Sequence, residues 1–344
     1  MKILVCKLRH HGDVLLASPV FTVLKNRYPH AQIVAYIYKE THPMLDGHPA
    51  IDDYILLGKE KMPKWKKLWR DFKILRQIRK AKYDMVINLT EGDRGALAAW
   101  VSKAKTRIGF DSEGSGMWGK NRCYTHIAKI CPHPRHTVER QLDVLRNLGI
   151  FPKPDERELV FHIPENAKAR SQILTPSDYI LIHPVSRWLF KCWPEDKMAQ
   201  LIDALHQRGE NIVLTSSPDQ NELAMLERIQ ANTKAPILNL GGQVSLKELG
   251  ALIEKSKLLI TVDSVPLHIS SALKAPVVVL FGPTSEINWA PYRNPDARVV
   301  AQNFSCRPCF RPGCADSGKS DCLETLPLSV VLKAVDELYS PASV

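Results

Sequence analysis

Short apolar runs of strand length alternate along the whole chain with segments whose apolar residues recur at helical spacing. The strand-like runs cover residues 3–8, 32–38, 54–57 and 84–89 in the first half, and 179–183, 211–215, 237–240, 258–262 and 277–281 in the second. Helical spacing lies between them, for example over residues 195–208 and 246–254. Strands that alternate with helices form parallel sheets covered on both faces. The pattern therefore predicts two doubly wound α/β domains.

The boundary between the domains is expected in a stretch rich in proline and charge, residues 150–178, where the periodic pattern stops. We place it between residues 165 and 166, which gives domains 1–165 and 166–344, each long enough for a core of its own. The last helical segment, which starts at Leu328, could cross back to the first domain. Because ligands bind beyond the carboxyl ends of parallel strands, two such domains facing each other predict a cleft lined by post-strand loops.

The chain carries a large excess of positive charge. It has 47 Lys and Arg residues against 36 Asp and Glu, a net charge of +11. Such an excess suggests an anionic partner, which could be a nucleic acid, an acidic membrane surface or a phosphorylated substrate. No apolar run approaches the roughly 18 residues that a membrane span needs, and the N-terminal run is too short for a signal peptide. We therefore expect a cytosolic protein.

Residues 59–82 hold most of this charge, with 11 basic and 2 acidic residues. Apolar residues at spacings of three and four predict a helix with one apolar face, formed by Trp65, Leu68, Trp69, Phe72, Leu75 and Ile78. We expect this face to pack on the sheet, as in an ordinary crossover helix, while the cations face an anionic surface. Basic helices that carry Trp also lie on membranes. The candidate contacts with a membrane or an acceptor are Lys64, Lys66, Lys67 and Arg70.

The loop after the first strand contains Arg9, His10, Gly12 and Asp13, directly before a helical pattern. Asp13 could be a helix N-cap, since Asp is a favoured residue there. It could also be a carboxylate held over the cleft as a general base. The loop is not G-x-G-x-x-G, and no G-x-x-x-x-G-K-[ST] is present, which argues against a dinucleotide dehydrogenase and a P-loop nucleotidase.

The loop after the strand at residues 179–183 carries Ser186, Arg187 and Lys191, and a helix begins near Pro194. A hydroxyl and two cations just before a helix N-terminus suit a phosphate group. The alternative is a solvated loop with a surface lysine.

A third group of candidates follows the strand at residues 258–262. Asp263 could cap the next helix or accept hydrogen bonds from ligand hydroxyls, and Ser264 and His268 lie beside it. A lone histidine is more often a satisfied interior group. Thr284 follows the strand at residues 277–281, and Glu222 could bind a nucleoside or be solvated.

Four of the eight cysteines lie within seventeen residues, at Cys306, Cys309, Cys314 and Cys322. Four thiolates in a loop could close a structural zinc site, although the spacing is not that of paired zinc knuckles. Disulfides or free thiols are the alternative. None of these states implies catalysis.

Four of these motifs together resemble the ADP-heptose:lipopolysaccharide heptosyltransferases: His-Gly-Asp ending at Asp13, Lys191-Cys-Trp-Pro, Val-Asp263-Ser, and Phe-Gly-Pro-Thr284. The resemblance covers nearly the whole chain. The cysteine cluster is similar to a loop of the later-acting members, and the chain looks most like those that add the branching third heptose of the inner core. The resemblance implies the GT-B fold, with the acceptor on the first Rossmann-like domain and the nucleotide-sugar on the second.

The resemblance also implies roles for the candidate residues. Asp13 would be the base on the acceptor hydroxyl, with Arg9 and His10 beside it, and Lys191 would neutralise the departing diphosphate with Ser186 and Arg187. Asp263 would bind heptose hydroxyls, and Ser264 and His268 would help to hold the diphosphate. Glu222 is added to the donor-binding candidates because it could bind the nucleoside. Val265 stands where family members often have glycine, which puts a direct contact of its N–H with phosphate in doubt.

The implied reaction is an inverting displacement at the anomeric carbon. The sequence contains no Asp-x-Asp pair to hold a divalent ion, so we expect neither a catalytic metal nor a cofactor. The implied partners are ADP-heptose, the phosphorylated lipopolysaccharide inner core and the anionic inner face of the inner membrane, and no nucleic acid. Two alternatives stay open from the residues: a GT-B enzyme that uses another nucleotide-sugar, and a basic nucleic-acid-binding protein.

Overall fold

A computed structural model of the protein describes residues 1–129 and 131–338. It divides the chain into two compact units, Met1–His162 and Ile163–Val344. The first domain expected from sequence ends three residues later, at residue 165. The difference arises because the second unit starts with the short approach to a helix that begins at Glu165.

The first unit is built on a six-stranded parallel sheet with the strand order β3-β2-β1-β4-β5-β6. Its strands are β1 (Lys2–Lys7), β2 (Gln32–Tyr38), β3 (Asp53–Leu57), β4 (Met85–Asn88), β5 (Thr106–Phe110) and β6 (His126–Ala128). Its helices are α1 (His11–Leu15), α2 (Ser18–Arg27), α3 (Lys64–Lys80), α4 (Asp93–Ser102) and α5 (Thr137–Arg146). The central strand β1 is buried from Ile3 to Cys6, as expected for a parallel strand covered on both faces.

The second unit has a sheet of the same size, with the order β12-β11-β10-β7-β8-β9. Its strands are β7 (Ile180–His183), β8 (Ile212–Leu214), β9 (Ile237–Asn239), β10 (Leu258–Val262), β11 (Val277–Phe281) and β12 (Ala297–Ala301). Its helices are α6 (Glu165–Leu174), α7 (Glu195–Gln207), α8 (Gln220–Asn232), α9 (Leu246–Lys255), α10 (Val265–Leu273), α11 (Glu286–Trp289), α12 (Asp321–Glu324) and α13 (Leu328–Leu338). Helix α13 packs on β11, β12 and α7, so it belongs to this unit and does not cross back.

Both sheets have the same doubly wound order, with the reversal beside the first strand of each unit. The order changes direction between β1 and β4 in the first unit and between β7 and β10 in the second. Ligands of open α/β sheets bind beyond the carboxyl ends of the strands at this point. We therefore expect the ligand-binding residues in the loops that follow these four strands.

Helix α3 does not present its aromatic residues to the sheet, which corrects the expectation from sequence. Ile74 and Ile78 are buried, whereas Trp65, Leu68, Trp69 and Phe72 are 58–70% exposed. The reason is helical geometry: at 3.6 residues per turn, Trp69 and Ile78 lie about 180° apart around the axis. The apolar residues therefore form two faces, and the aromatic face points away from the core.

Two buried histidines predict a loss of stability in acid. His48 lies between the Ser18 carbonyl and the Ala50 N–H, and His183, at the end of β7, contacts Thr215 Oγ1 at 3.1 Å. Burial lowers the pKa of each imidazole to about 4. The unfolded chain takes up these protons near pH 6.5, so stability is complete above that pH and falls as the pH decreases towards 4.

We expect the free energy of unfolding to fall by about 1.4 kcal/mol per pH unit for each of these histidines between pH 6.5 and pH 4. Urea denaturation at pH 7 and pH 5 measures the decrease in the free energy of unfolding. His183→Gln should remove the part of this decrease that comes from His183. His30→Gln, at an exposed position, is the control. An unchanged pH dependence in His183→Gln would contradict the prediction.

Across the described residues, none of the helices is both long enough and apolar enough to cross a membrane.

Candidate active site

Three loops at the carboxyl edge of the second sheet meet at one carboxylate oxygen. Lys191, after β7, donates from Nζ to Asp263 Oδ2 at 2.7 Å, and Asp263 directly follows β10. Thr284, after β11, donates from Oγ1 to the same oxygen at 2.7 Å. Asp263 is 6% exposed and the Lys191 side chain 17%. The sequence indicated each residue separately, and the fold brings them together.

This geometry excludes one of the alternatives for Asp263. The N-cap position of α10 is Ser264, and the Asp263 carboxylate is bonded to Lys191 and Thr284. An ammonium has three donors, so Lys191 can hold Asp263 and contact a second anion at the same time. The site therefore combines the fixed positive charge of Lys191 with the buried carboxylate of Asp263, which can accept hydrogen bonds from hydroxyl groups.

The residues on either side of this group orient the loops. The buried hydroxyl of Ser186 accepts a hydrogen bond from the Trp188 N–H at 3.4 Å. Arg187 is exposed, and its guanidinium lies 5.5 Å from the centroid of the Trp188 ring. Ser264 Oγ donates to the Val262 carbonyl at 3.3 Å, and His268 is buried in the first turns of α10. Val265 is the first residue of that helix.

Glu222 is not solvated, which excludes that alternative from sequence. Its side chain is buried, and Oε2 accepts a hydrogen bond from the Ser217 N–H at 3.0 Å. The carboxylate therefore holds the turn after β8, the strand next to β7 in the sheet. Any contact of Glu222 with a ligand would have to be made from this position.

In the first unit, Asp13 is the third residue of α1, and the N-cap position is His10, so Asp13 is not the cap. A carboxylate in the first turn of a helix is stabilised by the helix dipole. Arg9 and His10 are exposed beside it. The structure places Asp13 where β1 ends, at the point where the strand order of the first sheet reverses.

Lys7, which the sequence analysis did not single out, is a buried cation close to Asp13. It is the last residue of β1, is 5% exposed, and donates from Nζ to the Leu89 carbonyl at 3.0 Å. Burial lowers the pKa of this ammonium to about 8, and the charge of Asp13 is the strongest influence that opposes this shift. The sequence feature that could have indicated Lys7 is a lysine at the end of an apolar strand, just before the loop that contains Asp13.

The basic residues of α3 differ in their surroundings. Lys64, Lys66 and Lys67 are exposed. Arg70 donates from Nη1 to the Gly58 carbonyl at 2.6 Å and from Nη2 to Asp71 at 2.9 Å. Arg70 therefore holds the preceding loop, whereas the other three candidates, Lys64, Lys66 and Lys67, face outward, as do Lys73, Arg76, Arg79 and Lys80 on the same helix.

The cysteine cluster contains neither of the cross-links considered from sequence. All four of its cysteines are free thiols, and within residues 1–129 and 131–338 no group of three or more His, Cys, Asp or Glu side chains is arranged to hold a metal ion. Cys314 Sγ accepts a hydrogen bond from the Asp321 N–H at 3.4 Å. Burial raises the pKa of Cys322 to about 11.

Comparisons with known proteins identify relatives of this chain. Residues 71–319 match the model of glycosyltransferase family 9 (heptosyltransferase). The chain is 35% identical over 337 residues, 96% of each chain, to lipopolysaccharide heptosyltransferase 3 of Escherichia coli strain K12.

Two solved structures share the architecture. The family 9 glycosyltransferase from Veillonella parvula matches with a TM-score of 0.81 at 25% identity, over 98% of this chain and 96% of that one. The ADP-heptose lps heptosyltransferase II of E. coli matches with a TM-score of 0.80 at 21% identity, over 98% of both chains. These matches confirm the GT-B fold expected from the resemblance. The chain is therefore an enzyme that belongs to glycosyltransferase family 9, the heptosyltransferase family.

Proposed function

We propose that the protein transfers L-glycero-D-manno-heptose from ADP-heptose to the phosphorylated inner core of lipopolysaccharide, as its branching third heptose. The observation that carries this proposal is the 35% identity, along 96% of both chains, to a protein named lipopolysaccharide heptosyltransferase 3. The Lys191–Asp263–Thr284 group is consistent with it, because it provides a cation and a hydroxyl acceptor for a sugar diphosphate. In this proposal the first unit takes the acceptor and the second the nucleotide-sugar.

In the proposed mechanism Asp13 takes the proton from the acceptor hydroxyl as that oxygen attacks the anomeric carbon. The bond from this carbon to the diphosphate oxygen breaks, its electron pair leaves with ADP, and the configuration inverts. Lys191 and Arg187 stabilise the charge that develops on the leaving diphosphate, with Ser186, Ser264 and His268 around it. Asp263 accepts hydrogen bonds from heptose hydroxyls, and Glu222 contributes to the nucleoside side of the site.

We also propose that the reaction needs no divalent metal. The charge on the leaving group is met by Lys191 and Arg187 together with the N-terminus of α10, which favours anions. Turnover that is unchanged by a chelator agrees with this proposal, and turnover restored only by added Mg²⁺ or Mn²⁺ contradicts it.

The test of the function uses ADP-heptose and an inner-core acceptor that is phosphorylated but lacks the branching heptose. We expect ADP release together with a mass gain of one heptose on the acceptor. UDP-N-acetylglucosamine serves as the matched donor control. Turnover of that donor, with none of ADP-heptose, would favour the alternative GT-B enzyme.

For its membrane-anchored acceptor, we propose that the enzyme works at the anionic inner face of the inner membrane through α3. Trp65, Leu68, Trp69 and Phe72 are exposed on this helix, and Lys64, Lys66 and Lys67 flank them. Aromatic side chains at the headgroup level, together with cations, are typical of helices that lie in a membrane interface. Each such cation contributes about 1 kcal/mol near an anionic surface.

Replacing Lys64, Lys66 and Lys67 with Gln should weaken binding to vesicles of 30% phosphatidylserine by about 100-fold, since about 3 kcal/mol of attraction is lost. Turnover of a delipidated acceptor should change little. Vesicle sedimentation measures the partitioning, with Lys234→Gln, Lys319→Gln and Lys129→Gln as an equally charged control at exposed positions elsewhere. Equal binding by the two triple variants would contradict a role for α3.

A further inference from the structure

The cysteine-rich segment, residues 302–326, connects β12 to α13 and has no role in the mechanism above. It contains little regular structure beyond α12 and a short 3₁₀ turn. We propose that this segment is a brace that positions the two catalytic loops of the donor site, and that Arg307 is its principal positioning residue. The proposal rests on the proposed function, because it assigns the segment to the same site.

Arg307 joins the brace to both sides of the turn that carries Thr284. Its side chain is 7% exposed. The guanidinium donates from Nε to the Gly282 carbonyl at 2.6 Å and from Nη2 to Glu286 Oε2 at 3.0 Å. Nη1 donates to the Gln302 carbonyl at 2.6 Å, which closes the segment on itself. A buried guanidinium is tolerated only with such partners, and a planar fork is needed to reach all three.

The backbone and an apolar contact of the brace hold the same turn. The N–H groups of Cys309 and Phe310 both donate to the Pro283 carbonyl, at 3.1 and 3.0 Å. Leu323 is buried against Gly282, where a Cβ would come within 2.5 Å of Leu323 Cδ1. The brace therefore contacts the turn at Gly282, Pro283 and Glu286, on both sides of Thr284.

The other end of the brace holds the loop of Lys191. Ser320 is buried, and its Oγ donates to the Phe190 carbonyl at 2.7 Å, one residue before Lys191. The two loops held in this way meet at Asp263 Oδ2, which accepts from both Lys191 and Thr284. The brace, the two loops and Asp263 thus form a closed ring of contacts.

This ring explains how Lys191 and Thr284 can be positioned from irregular loops. Catalytic groups must be held within a fraction of an ångström, and a displacement of about 1 Å can cost 100-fold in rate. Arg307 touches no reacting atom in this arrangement and acts through Thr284. Its removal should therefore change the reaction rate only while Thr284 still bonds Asp263.

A double-mutant cycle between Arg307→Met and Thr284→Val tests the brace. We expect Arg307→Met to lower kcat about 10- to 100-fold in the wild-type background, but by less than about threefold in the Thr284→Val background. Arg307→Lys, which keeps the charge without the fork, should recover part of the loss. Arg298→Met, which removes a solvent-facing pair with Glu337, is the matched control.

An equal loss of kcat in both backgrounds, or an unchanged kcat in Arg307→Met, would overturn the proposal. Thermal melts show whether each variant is folded. If Arg307→Met does not fold, Ser320→Ala replaces it in a cycle with Lys191→Arg, where additive losses overturn the proposal and non-additive losses support it. Release of ADP from ADP-heptose by the wild-type enzyme tests the proposed function separately. If the wild-type enzyme releases no ADP, the same double-mutant cycles are carried out with the affinity for ADP, measured by calorimetry, in place of kcat.

Discussion

Replacing Asp13 with Asn should lower kcat for heptose transfer by about 10²–10⁴-fold, the usual contribution of a general base. The amide has nearly the same shape as the carboxylate but cannot accept the proton of the acceptor hydroxyl. The position tolerates the change, because Asp13 lies in the first turn of α1 and is not its cap. ADP release at saturating donor and acceptor measures kcat.

The donor is expected to bind Asp13→Asn normally, because Asp13 belongs to the first unit and the donor is assigned to the second. Calorimetry with ADP-heptose checks this point. Asp155→Asn, at an exposed position of the same unit, is the control and should keep full activity. A kcat within threefold of wild type in Asp13→Asn would show that another group takes the proton.

Replacing Lys191 with Met should lower kcat by about 10²–10³-fold, as expected when a fixed group that stabilises developing negative charge is removed. The same change leaves the buried carboxylate of Asp263 without its cation, and breaking a buried pair in this way costs about 3 kcal/mol or more. Turnover and urea denaturation together measure the two effects.

The double variant Lys191→Met with Asp263→Asn separates the two roles. It removes the unpaired charge, so we expect most of the lost stability to return while turnover stays well below that of Asp263→Asn alone, in which only the contact of Asp263 with heptose is changed. If turnover returned with stability, Lys191 would be needed only to neutralise Asp263, and the proposed role in leaving-group stabilisation would be wrong.

The sequence predicted most strands of both sheets, including the edge strands β3 and β9, and missed β5, β6 and β12. Buried parallel strands such as β1 and β10 are continuous apolar runs, which periodicity detects directly. The strands β6 and β12 each have an exposed apolar residue, Ile127 or Val299, and are too polar to stand out. The helical pattern after β1 also proved to be two helices, with Pro19 in the first turn of the second.

The candidate site was predictable as a set of loops but not as a set of contacts. Acidic and hydroxyl residues in the loops after strands indicated Asp13 in the first unit and Asp263 and Thr284 in the second, because the loops that follow the strands of one parallel sheet share one edge of it. The bond between Lys191 and Asp263 joins residues 72 positions apart, and nothing in local spacing indicates it. Arg307 and Lys7 were missed because their importance follows from burial.

The buried ammonium of Lys7 makes the first unit less stable than it would be without a charge at this position. A pKa lowered from 10.5 to about 8 corresponds to about 3 kcal/mol against the charged form. This penalty is fully present below pH 8 and disappears above pH 10.5, because the unfolded chain holds the proton more tightly. A selection for heat resistance alone would therefore favour apolar residues at position 7 and remove a cation whose charge interacts with that of Asp13, so thermostability and turnover should be screened together in engineering this enzyme.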